Sequence, residues 1–181
     1  MRPPVSLLAS VRRLLNGAPL VALRVLLLLL AALATRAPAR RVLDALAGGV
    51  CVAAFTAGWD HLAHLTGWWS HPPGAPYGPS ASPRAYYLGV GLWYGAGVGL
   101  LGWSITRRFG YRGTLAFLAS LGAYGVVRDS VAARRFRVLS FGPGPGPLLA
   151  DAIAWSSTAG AAQLVMRLLA GHTPPTRDRQ T

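Results

Sequence analysis

Apolar residues along this chain arrive in long uninterrupted runs, not in the alternating or one-sided patterns of a soluble domain. Four runs occupy 42–64, 86–105, 114–133 and 148–170. Each is close to the ~20 residues that carry a helix across a bilayer, and each is bounded by arginine, glycine or proline. The pattern predicts four transmembrane helices. A fifth run, APLVALRVLLLLLAALAT at 18–35, predicts an N-terminal hydrophobic helix carrying Arg24. It could span, act as an anchor, or lie in the interface. Ahead of it, Val5, Leu7, Leu8, Val11, Leu14 and Leu15 form one helical stripe, with Arg12 and Arg13 elsewhere. Such a segment suits an anionic membrane surface, and Asn16-Gly17 and Pro19 are expected to end it.

The expected organisation is therefore an amphipathic interfacial helix in 1–17, a membrane helical bundle over 18–170, and a disordered polar tail at 171–181. A Pro/Gly-rich loop (65–85), a basic turn TRRFGYRG (106–113) and a second loop (134–147) separate the main runs. The Gly-Pro alternation at 142–147 cannot form regular helix, whereas Pro147 suits a first helical turn. Tyr86-Tyr87 and Trp103 bracket the second run, as an interfacial aromatic belt would.

Composition strengthens the membrane assignment. Hydrophobic residues make up 52% of the chain and charged ones 13%, against about 25% charged in soluble domains. The fold class is all-α, a polytopic membrane helical bundle, and the bacterial plasma membrane is the expected location. All 18 basic residues are arginine and all five acids are aspartate, a bias that follows abundant Ala, Gly and Pro and fits GC-rich coding. A net charge of +13 raises nucleic acid as a partner. The arginines, however, flank apolar runs in short clusters and do not share one soluble face, so the expected partners are membrane lipids and no nucleic acid. Cys51 is alone, which excludes an intrachain disulfide or a cysteine metal cluster.

Arginine placement also orients the helices. If 18–35 stays on the cytoplasmic side, the inside holds thirteen: Arg2, Arg12, Arg13, Arg24, Arg36, Arg40, Arg41, Arg107, Arg108, Arg112, Arg167, Arg177 and Arg179. The outside holds four, Arg84, Arg134, Arg135 and Arg137. If 18–35 spans, the split becomes nine against seven. Both arrangements place loops 65–85 and 134–147 outside.

Packing is legible in the second run, where Gly91, Gly95 and Gly99 recur every four residues. Lipid tails give helices no hydrophobic reason to associate, so a smooth glycine face that permits close approach is a common solution. The ridge is expected to pack within the chain. The alternatives are a second copy or a partner membrane protein.

Ionisable residues in membrane helices are costly and therefore informative. Asp60, His61 and His64 end the first run, Arg128 and Asp129 lie late in the third, and Asp151 opens the fourth. Alternation of spans brings all six to the outer face. Each has a structural account of its own: interfacial contacts for the first three, the helix dipole for Asp151, and a structural latch formed by an ion pair for Arg128. Adjacent helical residues point in different directions, so Arg128 is expected to pair with Asp60 or Asp151 in preference to Asp129. Trp68, Trp69, Tyr86, Trp93 and Tyr94 are the candidate walls of a substrate pocket.

Asp60-His61-x-x-His64 is a weak metal pattern, and no metal or other cofactor is expected. Four histidines are too few for histidine-rich di-iron sites. His61, His64 and His71 share one stretch, with His172 in the tail, so facing haem ligands are not available within the chain. P-loop, Gly-x-Ser-x-Gly, HExxH and CxxC motifs are absent. What remains is acid/base chemistry by His61, His64, Asp60, Asp129 and Asp151, with Arg128 stabilising negative charge. The expected function is a small membrane enzyme acting on a lipid-like or isoprenoid-like substrate. A non-catalytic membrane subunit or assembly factor is the alternative. Transport or proton relay is the third, weakened because on the inner side only Asp44 offers a plausible relay partner and no inverted repeat is visible.

Overall fold

Helix α1 (Leu7–Thr35) leads into α2 (Ala39–Thr66), and the chain then passes through a two-residue strand, β1 (Trp69–Ser70). Helix α3 (Pro83–Val90) widens into a π-helical stretch, Gly91–Val98, and continues as α4 (Gly99–Val131), whose end loosens again at Ala132–Phe136. Strand β2 (Ser140–Phe141) precedes α5 (Gly146–Gly171). The class is all-α. This computed structural model describes residues 7–73, 79 and 82–171, with side chains from residue 21 onward. The amphipathic stripe of 5–15, and the tail from 172 with His172, therefore lie outside the described side chains.

Helix α4 is not straight. Gly110 has φ 62° and ψ −152°, a conformation open to glycine and hostile to other residues. In a continuous helix Gly102 and Phe117 would stand about 22 Å apart. Instead a Cβ on Gly102 would meet the Phe117 ring at 2.7 Å, and the Thr106 and Thr114 hydroxyls are 2.8 Å apart. The chain thus reverses at Gly110 into two antiparallel arms, 83–109 and 111–136. The basic turn expected at 106–113 narrows to this one residue, because the arginines around it continue the helices. Helix α1 likewise runs unbroken across Asn16-Gly17 and Pro19, where a break was expected. Leu- and Ala-rich flanks with strong helix propensity lie on both sides of that point.

Helix α2 is central and runs antiparallel to both the first arm and α5. Gly49 faces Gly91 and Gly95, while Gly48 faces Ala162 and Met166. Ala63, at the other end, packs with Ala150 and Ala154. Leu28 of α1 joins Ala45, Ala96 and Leu100. The Gly91/Gly95/Gly99 ridge is therefore consumed within the chain. A Cβ on Gly91 would come 2.6 Å from the Gly49 carbonyl, one on Gly95 would overlap the Gly49 backbone, and Gly99 meets Met166 Sδ at 3.2 Å. Glycine also lowers the cost of the wide π turns here, since no Cβ crowds the next turn.

Small residues form the interior and large apolar ones the exterior. Among fully buried side chains the largest are Leu100, Met166 and Val52, whereas Leu33 is 73% exposed and Val50 75%. Ala39–Thr66 and the bent stretch Pro83–Phe136 are long and apolar enough to cross a membrane by length and composition.

The two loops at one end are tied together. Strands β1 and β2 pair antiparallel, Trp69 opposite Phe141 and Ser70 opposite Ser140. Gly67, with φ 71°, closes α2 in the left-handed conformation. It turns the chain so that the Gly142 N–H donates to the Trp68 carbonyl at 2.9 Å. No hydrophobic period announces a ladder this short, so the sequence left it as loop.

Replacing Gly49 by Leu should lower the thermal midpoint in detergent by the equivalent of roughly 3 kcal/mol or more, because the clash is with backbone. Gly160→Ala enters open space and should leave the midpoint unchanged or slightly raised. Far-UV circular dichroism melts of the two variants check this.

Candidate functional site

The polar groups collect at the loop-bearing end, where α2 stops, α3 starts, the second arm finishes and α5 begins. Asp60 sits nearly two turns before the end of α2, half-buried, and draws three donors. The Trp69 indole N–H donates to Oδ1 at 3.0 Å, and the Tyr87 hydroxyl donates to Oδ2 at 2.9 Å. His71 Nε2 stands 3.5 Å from Oδ1. These donors come from β1, α3 and the loop after β1, so one carboxylate joins α2 to three other segments.

His71 is fixed from both sides. Its Nδ1 donates to the Val138 carbonyl at 3.1 Å, while Nε2 faces a carboxylate. Both partners can only accept, so the ring is best satisfied as the imidazolium with two N–H groups. Burial pulls its pKa down, but the Asp60 hydrogen bond, the Val138 carbonyl and the nearby negative charges outweigh this. The pKa of His71 therefore lies above the ordinary histidine value. The His64 ring stacks on His71 at 6.2 Å, and Tyr86 meets its edge at 6.3 Å.

A second group lies on the α4–α5 seam. Arg128 bonds Asp129, and the Trp155 indole N–H donates to the other Asp129 oxygen at 2.8 Å. The Arg128 guanidinium also lies over the Trp155 ring, 5.7 Å from its centroid. This corrects the expected pairing of Arg128 with Asp60 or Asp151. Neighbouring Cβ directions do diverge, but the long arginine side chain bends back across that angle, and Trp155 supports both partners. Gly125 makes the arrangement possible, since any Cβ there would overlap the Trp155 indole. Tyr94 packs edge-on to that indole at 4.7 Å and donates its hydroxyl to the Trp155 carbonyl.

Asp151 is buried, 4% exposed; its carboxyl lies within hydrogen-bond reach of that of Asp129 and in the electrostatic field of Arg128 and Asp60. Its Oδ2 has no hydrogen-bond partner among the described residues. The two groups are electrostatically joined, because Tyr86 feels Asp60, Arg128 and Asp129 together. Arg24 also arrives here from α1. Its guanidinium lies where a Gly89 side chain would be, within the field of Tyr86 and Arg128.

Of the candidates read from sequence, Asp60, Arg128, Asp129 and Asp151 converge. His64 touches the cluster only through His71. His61 is exposed and takes no part in these contacts. The five candidate walls do not form one surface. Trp69 is buried against Asp60, Trp68 leans on Trp59, and Tyr86 rests on Tyr87 and His71. Tyr94 is a core residue, while the Trp93 ring covers Gly97. A groove of about 440 Å³ runs elsewhere, along Leu118, Gly122, Ser156 and Gly160. His71, Tyr87, Trp155 and Arg24 belong to the site and were not selected from sequence. Among them Trp155 had a usable signal, lying one turn after Asp151 on the same helix face, as did Arg24, a charge within an apolar run. No group of three His, Cys, Asp or Glu side chains is placed to hold a metal among the described residues. No protein-family model, curated protein or solved structure matches this chain.

The His71–Asp60 pair gives stability a pH dependence of defined sign. A raised folded pKa means that its contribution is complete below the unfolded value of about 6.5 and fades as pH rises through the higher folded value. The thermal midpoint of the wild type, scanned from about pH 5.5 to about pH 9, should therefore carry a falling component that His71→Gln removes. A variant with the same slope as the wild type would refute the assignment.

Proposed function

We propose that this is a multi-pass membrane protein whose loop-bearing, outer end holds an acid/base centre formed by Asp129 and Asp151. It would act on a lipid-like or isoprenoid-like molecule. Support for the membrane comes from the inverted packing, with small residues inside and leucines and valines outside. Large contiguous apolar surface is rare on a soluble monomer. The arginine distribution supports the orientation, with Arg36, Arg40, Arg41, Arg107, Arg108 and Arg112 at the end opposite the loops. Helix α1 lies against the same bundle through Leu28, which favours a fifth embedded helix. Arg24 then reaches the outer polar cluster and does not face lipid alone.

The single observation that carries the chemical proposal is Asp151. An ionisable residue costs roughly 2.5–3.5 kcal/mol at the centre of a membrane helix on insertion scales, and one buried nearer the helix end still needs partners. Asp60 offsets that cost with three donors, and Asp129 does so with Arg128 and Trp155. Asp151 leaves an oxygen unpartnered beside a second carboxyl, an arrangement that structure alone does not reward and that suits a proton donor or acceptor. The Arg128 side chain, 46% exposed, is placed to meet negative charge developing on a bound molecule. His61 and His64 drop out of the centre.

A second proposal rests on Asp60. Its donors saturate it and clamp α2 to α3 and the loop, which suits a non-catalytic membrane subunit stabilised by a polar clasp. Transport has less support, because the inner carboxylate Asp44 is bound to Arg41 at 2.9 Å.

Asp151→Asn should fold and melt at or above the wild-type midpoint, whereas Asp60→Asn should lower it by the equivalent of about 1–3 kcal/mol through lost donors. Membranes from cells producing each protein would be compared by lipid mass spectrometry. A species that changes with wild type and not with Asp151→Asn supports the acid/base centre. Identical extracts from wild type and Asp151→Asn would overturn it and leave the clasp.

A further inference from the structure

The end of the bundle opposite the carboxylates carries a second arrangement that the acid/base centre does not use. A cavity of about 240 Å³ opens there, lined among others by Arg41, Trp103, Thr106, Arg107, Gln163 and Arg167. Its three arginines come from α2, the first arm and α5, so the tertiary fold gathers them. Trp103 supports two of them, with the Arg41 guanidinium carbon 6.0 Å from its ring centroid and that of Arg107 at 5.1 Å. A guanidinium held against an indole keeps its planar N–H edge available for an anion.

The charge balance is uneven. Among the described residues Asp44 is the acid at this end, and it is engaged with Arg41 Nη1 at 2.9 Å. Arg107 and Arg167 have no carboxylate partner among the described residues. Cations brought together without counter-charge repel one another, a cost that a bound anion would remove. Arginine forks match phosphate oxygens in pairs. Gln163 helps to shape the floor, its amide N–H donating to the Gly99 carbonyl at 2.7 Å. Phe109 and Tyr111 stand exposed at the adjoining hairpin turn, where aromatic side chains would meet the headgroup layer.

We infer that this cavity binds a phosphate-bearing anion, gripped by Arg107 and Arg167 against the wall formed by Arg41 and Trp103. The phosphate can come from a lipid headgroup in the adjoining leaflet or from solution. Native mass spectrometry of the full chain in detergent separates the two, using phosphatidylglycerol, diacylglycerol and inorganic phosphate as probes. Phosphatidylglycerol should bind at one saturable site and diacylglycerol, which lacks phosphate, should not. The double variant R107Q/R167Q should weaken binding at least about tenfold, whereas R108Q/R112Q, with the same charge change beside the cavity, should stay within about twofold. Both pairs are exposed, so melting midpoints should match the wild type. Displacement of the lipid by inorganic phosphate at similar concentration supports the site with a soluble ligand, and retention of the lipid supports it with a headgroup. Equal losses in the two double variants would mean diffuse surface charge and would overturn the inference, as would equal binding of diacylglycerol.

Discussion

Backbone meets backbone where α2 crosses the first arm, and the rest of the molecule follows from that approach. Gly49 on one side and Gly91 and Gly95 on the other leave no side chain between the two helices. Close van der Waals contact runs along the whole seam. A seam this close fixes both the spacing and the relative height of the two helices. It therefore sets which residues can touch at either end.

At the loop-bearing end the consequence is a connected polar network. Asp60, carried on α2 about three turns beyond the glycine contact, comes level with Tyr87 on α3 and accepts its hydroxyl. The strand pair then folds Trp69 and His71 back over the same carboxylate. Glycines make room a second time, since Gly125 admits Trp155 and Gly89 admits Arg24. A small residue on one helix thus decides where a large polar or aromatic one from another helix can sit. In such an interior, satisfied polar contacts specify the arrangement more sharply than apolar ones, because an unmet donor or acceptor is expensive. Asp151 stands out against this background for its unmet oxygen.

The two ends differ in kind. One concentrates carboxylates with tyrosine and tryptophan donors, and the other concentrates arginines around Trp103 with, among the described residues, a single aspartate. Gly110 is what permits the second, because the reversal there returns the chain beside itself and brings Thr114 to Thr106. The arginines next to that turn are held near the bundle and do not trail from a loop.

The all-α class, the order of the helical runs and the placement of Asp60, Arg128, Asp129 and Asp151 toward the loop-bearing ends of their helices were determined by the sequence alone. Each follows from run length, from glycine and proline punctuation, and from counting along a helix of known rise. Even the glycine ridge was legible, because a four-residue repeat marks one face. What the tertiary structure decided was partnership. Arg128 turned to its own neighbour because Trp155 arrived from another helix to hold both. His71, outside any helix, entered the site through a ladder of two residues, whereas His61, one position beyond Asp60, was left facing outward. Helical periodicity states which residues share a face and how far along the axis they lie. It does not state which way that face turns, and a loop residue has no period at all. Rotation of the helices and the path of the loops are set only when the backbones close on one another at Gly49.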